Sequence, residues 1–331
     1  MRPAGLAARD AISIADVHAA EHRIRPYLTP TPLRRYRLLD DIVGHEIGVH
    51  VKHENLQPTG SFKVRNGLSV VTALSVEDRR RGLVAATKGN HGQGLAYAGA
   101  LLAVPVTLVV PGDNVPEKNA AMAALGAELV PGGRDYDTAT AVAAQLTAVR
   151  GLRLAHSTND PGVLAGAGTI TLEILRQQRN LDAIVVAVGG GSQAVGAIVV
   201  ARSLQPRLKV YAVQASGAAA CHDSWHAGTR LAYDRVDTFA DGIATRTTYD
   251  LSFPTLRDGL AGFVTVSDAE IAEAIRVLHR ATHTTCEGAG AAPLAGLMKL
   301  RPELAGRQVA LVLSGANIDG HTLARVLSRA L

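Results

Sequence analysis

One lysine, Lys63, follows Gly60, Ser61 and Phe62 and stands just ahead of an apolar run. Small residues allow close backbone approach and the aromatic ring offers an apolar wall. Partial burial there would penalise an ammonium and lower its pKa. A lysine amine in that state is a nucleophile toward aldehydes; otherwise a lysine at a helix start is a solvated cation. A second group, Gly189, Gly190, Gly191 and Ser192, separates a strongly apolar stretch from a helical one. Backbone N–H groups free of Cβ obstruction at a helix start form a nest for an anion, although a tight strand-to-helix turn would use the same glycines.

The loop reads G-G-G-S-Q-A-V-G, which fits neither the P-loop nor G-x-G-x-x-G, so a small phosphate ligand is favoured over a nucleotide. Asn90 and Ser314 are neutral hydrogen-bonding residues at two further turns, where each alone would be a cap or turn residue. Taken together, an amine nucleophile, a phosphate nest and two polar groups suited to a hydroxypyridine ring describe a pyridoxal 5'-phosphate site.

These residues need a scaffold that gathers distant turns. Short β-branched runs alternate with Ala-rich amphipathic stretches along nearly the whole chain, which predicts an α/β fold with open, mainly parallel sheets and helices on both faces. Strands are expected at "IGVHVKH", "GLVAAT", "VPVTLVVPG", "AELVPG", "LRLAHST", "AIVVAVGGG", "KVYAVQAS", "FVTVSD" and "QVALVLSGAN". Helices are expected over 65–75, 91–102, 115–125, 138–149, 163–178, 193–204, 268–284 and 320–330. The block 76–157 has its own strand and helix series, so it is read as a small domain nested in a larger one formed by 1–75 and 158–331.

At 331 residues with 47 % hydrophobic and 19 % charged, the chain is globular and long enough for two lobes. The net charge of +5 is scattered. Its one dense run, Arg79 to Arg81, reads as a solvated helix end, so a nucleic-acid partner is not expected. Cys221 and Cys286 show no paired spacing, which points to a reducing, cytoplasmic compartment. The N-terminal stretch "MRPAGLAARDAISIADVHAA" lacks an apolar core and is not a signal peptide, and no stretch reaches membrane-spanning length. The histidines show no metal spacing, and His53, His156 and His283 read as turn or core residues. Cys286 reads as a small buried apolar residue.

Four motifs in order, "ENLQPTGSFKVRNG", "ATKGNHGQGLAYAG", "VAVGGGSQAVG" and "LSGANID", with the weaker "FADGIATRT" and "CEGAGAAPLAG", span residues 54–319. On these the chain resembles the serine/threonine dehydratase group of fold type II pyridoxal-phosphate enzymes, the two-lobed fold of the tryptophan synthase β type. That group includes threonine ammonia-lyases and serine racemases. The resemblance implies that Lys63 bonds the cofactor and later handles the Cα proton, and that Gly189, Gly190, Gly191 and Ser192 hold the phosphate. It implies that Asn90 contacts the ring hydroxyl, that Ser314 meets the pyridine nitrogen, and that Gly242 and Glu287 line the cofactor. Thr87, Gly89 and His91 would close on the substrate carboxylate with main-chain donors. The implied activity is dehydration and deamination of L-threonine, L-serine or a related β-hydroxy amino acid to a 2-oxo acid and ammonia, by a homodimer. A neutral Ser314 stabilises a pyridinium less than a carboxylate would, which favours elimination over transamination.

Three positions depart from the group's pattern. Lys88 stands where close members commonly have a serine, so it could act as a base on the second face, bind a second acidic group, or point to solvent. Gln214 and Ala220 occupy places where cation-activated members have acids, with Asp223 displaced, so no metal is expected. The chain ends at Leu331 soon after the last motif, and no C-terminal regulatory domain is expected. A racemase or β-replacement enzyme on the same cofactor, or a noncatalytic pyridoxal-phosphate binding protein, are the alternatives. A dinucleotide oxidoreductase lacks its glycine fingerprint.

Overall fold

The structure, a computed structural model, describes residues 10–331. The opening of the stretch read as no signal peptide, and the same residues of the large-domain assignment, lie outside the described residues.

Ten strands form two sheets among the described residues. The larger has the order β1 (Leu33–Arg35), β2 (Gly48–His53), β10 (Gln308–Leu313), β7 (Ala183–Ala187), β8 (Lys209–Ala215) and β9 (Gly262–Val266). All its pairs are parallel except the edge pair β1 and β2. The smaller sheet is wholly parallel, in the order β5 (Glu128–Pro131), β4 (Val106–Val110), β3 (Leu83–Ala86) and β6 (Arg153–Leu154).

Each of the nine runs read as a strand overlaps one of β2 to β10. Their side chains divide by the two-residue repeat of a pleated strand. In β7, Ala183, Val185 and Ala187 enter one apolar layer while Ile184 and Val186 enter the other, and β10 splits Leu311 from Ala310 and Val312 in the same way. Strands apolar on both faces must be covered on both faces. The helices Asp268–Thr282 and Gly288–Leu300 supply residues to the first layer, and Pro161–Gln177 and Ser192–Leu204 to the second.

Parallel strands point their C-terminal ends the same way, and ligands bind where those ends open. Thr87 follows β3, Val188 and Gly189 follow β7, and Ser314 follows β10. The two sheets therefore deliver the singled-out turns to one place. Arg79 to Arg81 end the helix Val76–Arg81, which has no buried residue and stops at Gly82, as a solvated helix end should. No described helix is long and apolar enough to cross a membrane.

Candidate active site

Lys63 is the first residue of the helix Lys63–Thr72. The segment before it is zipped to the turn after β10. Phe62 N–H donates to Ser314 O at 3.0 Å and Ala316 N–H to Gly60 O at 2.8 Å. The helix then crosses Asn90–Leu102 in backbone contact, since a Cβ on Gly67 would lie 2.1 Å from Gly94 O and one on Gly94 would lie 2.3 Å from Lys63 O. Only glycine at both positions permits that crossing. It sets the lysine and the Thr87 to His91 turn side by side, which is why the two motifs carry these glycines.

A cleft with about 980 Å³ of empty space, partly open to solvent, is lined by every residue singled out for the site: Lys63, Thr87, Lys88, Gly89, Asn90, His91, Gly189 to Ser192, Gly242, Glu287 and Ser314.

The Lys63 amine donates to Ser157 O at 3.3 Å and lies 5.0 Å from the centre of the Phe62 ring. Burial pushes its pKa down from 10.5 to about 8. At pH 7.5 roughly a quarter of such amines are neutral, against about one in a thousand for a solvated lysine. The histidines near the amine are uncharged at that pH: burial lowers His91 to about 3 and His156 to about 4. His91 Nε2 lies 2.9 Å from Ala155 O, and His156 Nδ1 accepts from the N–H groups of Thr158 and Asn159 at 3.0 and 2.8 Å. His156 is thus the turn residue the sequence predicts. Burial, aided by the nearby Asp241 charge, raises Glu287 to about 8, so its carboxyl is mostly protonated at neutral pH.

The rate at which apoprotein captures pyridoxal phosphate should therefore rise through pH about 8, because the amine loses its proton there. Absorbance-monitored reconstitution across pH 6 to 11 checks this, with Glu287→Gln run alongside to remove the other group titrating nearby. A midpoint near the ordinary lysine value would count against a desolvated amine.

The chain's own atoms fit this cofactor. The nest opens the helix Ser192–Leu204, with Gly191 as its N-cap at φ 98°. A Cβ on Gly190 would lie 2.0 Å from Thr158 Oγ1 and one on Gly191 2.7 Å from Leu256 Cδ1, so side chains would fill the cradle. Gly190→Ala should weaken cofactor affinity by at least about tenfold, through loss of one or more charge-assisted bonds to the phosphate. Equilibrium dialysis of the cofactor reads this directly, and unchanged affinity would show that the phosphate sits elsewhere.

Two polar side-chain atoms at the pocket are left without partners. Glu287 Oε2 is buried without a hydrogen-bond partner, and the Ser314 hydroxyl has none among the described residues. Asn90 is held more tightly than the sequence suggests: its Nδ2 donates to Glu287 Oε1 at 2.7 Å and its Oδ1 accepts from Asn317 Nδ2 at 2.6 Å. Thr87 Oγ1 accepts from the N–H groups of Gly89 and Gly92, both at 3.0 Å. Gly89 is therefore already engaged, and the first-turn donors of Asn90 and His91, which a helix cannot satisfy internally, are the main-chain groups left for an anion.

Sequence reasoning missed what orients the lysine. Arg65, 1 % exposed, pairs with Glu54 at 2.7 and 2.9 Å and with Glu173 at 2.7 and 2.8 Å. Glu173 also accepts from Lys52 Nζ at 2.7 Å. Two cations and two carboxylates thus pin the first turn of the lysine helix to β2 and the helix Pro161–Gln177. Glu54 and Arg65 lie within the opening motif, so the signal was present, but Glu173 is far away in sequence.

Lys118 was also unforeseen. It comes from the helix Pro116–Ala124, lines the pocket and forms an ion pair with Asp241 across it.

A parallel α/β scaffold that brings a desolvated lysine and a glycine nest into one pocket defines an enzyme built to hold a phosphorylated aldehyde. The comparisons with known proteins agree. Residues 24–315 match the family described as pyridoxal-phosphate dependent enzyme, and the chain belongs to it. Its cofactor is pyridoxal phosphate.

The chain is 35 % identical over 320 residues to L-threonine ammonia-lyase of Thermotoga maritima, covering 97 % of this chain and 79 % of that protein. It is 34 % identical over 313 residues to L-threo-3-hydroxyaspartate ammonia-lyase of Saccharomyces cerevisiae, covering 95 % of each. The crystal structure of a T.th. threonine deaminase superposes with a TM-score of 0.87 at 38 % identity, covering 93 % of this chain and 99 % of that one. The fold type II architecture expected from the motifs is the one these structures share.

Proposed function

We propose that the protein is an ammonia-lyase that converts a β-hydroxy amino acid, L-threonine, L-serine or a relative such as 3-hydroxyaspartate, to a 2-oxo acid and ammonia. The observation that carries this reading is the Lys63 amine, desolvated to a pKa of about 8 in the pocket that the glycine nest also lines.

Bound pyridoxal phosphate supplies an aldehyde carbon for amines and a ring that spreads the charge left at Cα. Gly189 to Ser192 hold the phosphate, and Ser314 and Glu287 meet the ring. The N–H groups of Asn90 and His91 orient the substrate carboxylate at the helix start. When not bonded to the cofactor, the Lys63 amine would be a base near neutral pH, placed to take the Cα proton. The β-hydroxyl leaves as water, and a water returns when the released imine hydrolyses, so no co-reactant is consumed. With His91 and His156 neutral and weakly basic, Lys63 is the base this wall offers.

Segment 76–157 acts as the small mobile domain that closes over the substrate. Lys118 reaching from it to Asp241 supports that reading, because the pair spans the cleft and would latch the closed state. A cytoplasmic homodimer completes the proposal. The buried, unpaired thiols Cys221 and Cys286 suit a reducing compartment, and light scattering at twice the chain mass would support the dimer.

The direct test is a panel of threonine, serine, 3-hydroxyaspartate and phenylserine assayed for 2-oxo acid and ammonia in equal amounts. Release of a D-amino acid or a β-substituted product instead would replace elimination with racemisation or β-replacement. Holoenzyme that binds these amino acids and releases nothing would leave a noncatalytic binding protein.

A further inference from the structure

We propose that Lys88 reads the substrate's side chain, and that it selects a β-hydroxy amino acid carrying a second carboxylate. This rests on the ammonia-lyase reading and names the substrate class for the same site.

Lys88 sits in the turn after β3, between Thr87 and Gly89, and lines the cofactor pocket. It also lines an adjoining pocket whose wall includes Asp135, Tyr136, Arg235, Arg246 and Tyr249. Tyr136 and Tyr249 belong to both pockets, so Lys88 stands where one opens into the other. Its side chain is half-buried and has no hydrogen bond or ion pair among the described residues.

The nearby acids are otherwise engaged. Asp135 accepts from Arg246 at 3.2 Å and from Thr138 N–H at 2.9 Å. Asp241 is paired with Lys118. Glu287 accepts from Asn90 at 2.7 Å and is mostly protonated at neutral pH. Asp234 is exposed to solvent, which screens its charge.

An ammonium drawn partly out of water without a counter-ion carries a desolvation cost that the fold does not recover. A ligand anion recovers it. The substrate's α-carboxylate is assigned to the helix-start N–H groups of Asn90 and His91, so the anion that meets Lys88 is a second one. A lone ammonium suits a singly charged carboxylate better than a phosphate dianion, which draws on several donors.

The experiment compares kcat/KM for threo-3-hydroxyaspartate and threonine in the wild type, Lys88→Met and Lys88→Arg. Loss of a charge-assisted contact predicts that the hydroxyaspartate-to-threonine ratio falls about tenfold or more in Lys88→Met, mainly through KM, and is largely kept in Lys88→Arg. An unchanged ratio, or equal losses on both substrates, overturns the assignment. Equal losses accompanied by loss of Cα hydrogen exchange would make Lys88 a base on the second face instead.

Should the wild type release ammonia from neither substrate, the lyase reading falls separately. The inference is then decided by titrating the holoenzyme's visible absorbance with L-aspartate and L-alanine. A preference for aspartate that Lys88→Met erases supports it, and equal affinities overturn it.

Discussion

Lys63→Ala is expected to yield a folded protein that neither shows the absorbance of a lysine-bound cofactor nor turns over substrate, with kcat reduced by at least about a thousandfold. That magnitude combines loss of the covalent hold on the cofactor with loss of a positioned base, the latter alone contributing about 10²–10⁴. The fold should survive because burial lowers the amine's pKa from 10.5 to about 8. The folded state therefore disfavours the protonated amine, which weighs against stability as pH falls through 8, and removing it relieves that cost. Absorbance, thermal melting and a 2-oxo acid assay on the same preparation check all three parts. Substantial turnover by Lys63→Ala would place the reactive amine elsewhere, with Lys88 the other lysine of the turn beside it.

The second large effect is structural. Arg65→Met should destabilise the apoprotein by about 3–5 kcal/mol, because it leaves one fully buried and one part-buried carboxylate without the cation they share. Glu54 is fully buried and would keep only Thr31 Oγ1 at 2.6 Å and Gln57 Nε2 at 3.2 Å, while Glu173 would keep Lys52. Denaturant unfolding measures the loss. Adding Glu54→Gln to Arg65→Met should recover part of it, since the unpaired charge is then gone. A single variant as stable as the wild type would show that the network contributes nothing to holding the lysine helix.

Those two residues show where sequence reading succeeds and where it stops. The inner strands β3, β4, β7, β8 and β10 were legible because their apolar, β-branched runs ask for burial on both faces. The site's turns were legible because glycine, lysine and serine at strand ends are costly unless used.

The edge strand Leu33–Arg35 was not legible, since two arginines and a burial pattern without a core residue leave no alternation to detect. The helix Gly288–Leu300 was hidden by its composition. Three glycines and Pro293 argue against a helix, yet a Cβ on Gly290 would lie 2.6 Å from Gly315 O. Close packing against the Ser314 turn overrides propensity there. The helix Ile14–Ile24, with its Ser13 and Asp16 capping box, falls in a stretch that the sequence marks only as no signal peptide.

The remaining gaps are long-range. Nothing near Arg65 announces Glu173, and nothing near Lys118 announces Asp241. Asn90 was correctly brought to the pocket, but its clamp between Glu287 and Asn317 depends on three turns meeting. Lys88 stood out as a departure from the motif pattern; only the structure supplies its missing counter-ion and its place between two pockets.

The central claim is that Lys63, of the two lysines in neighbouring turns, bonds the cofactor. Reduction of the holoenzyme with borohydride fixes pyridoxal phosphate on the amine that holds it, and peptide mass spectrometry then locates the label. The account predicts the label on the peptide containing Lys63 and nowhere else. A label on Lys88, or none, would contradict it.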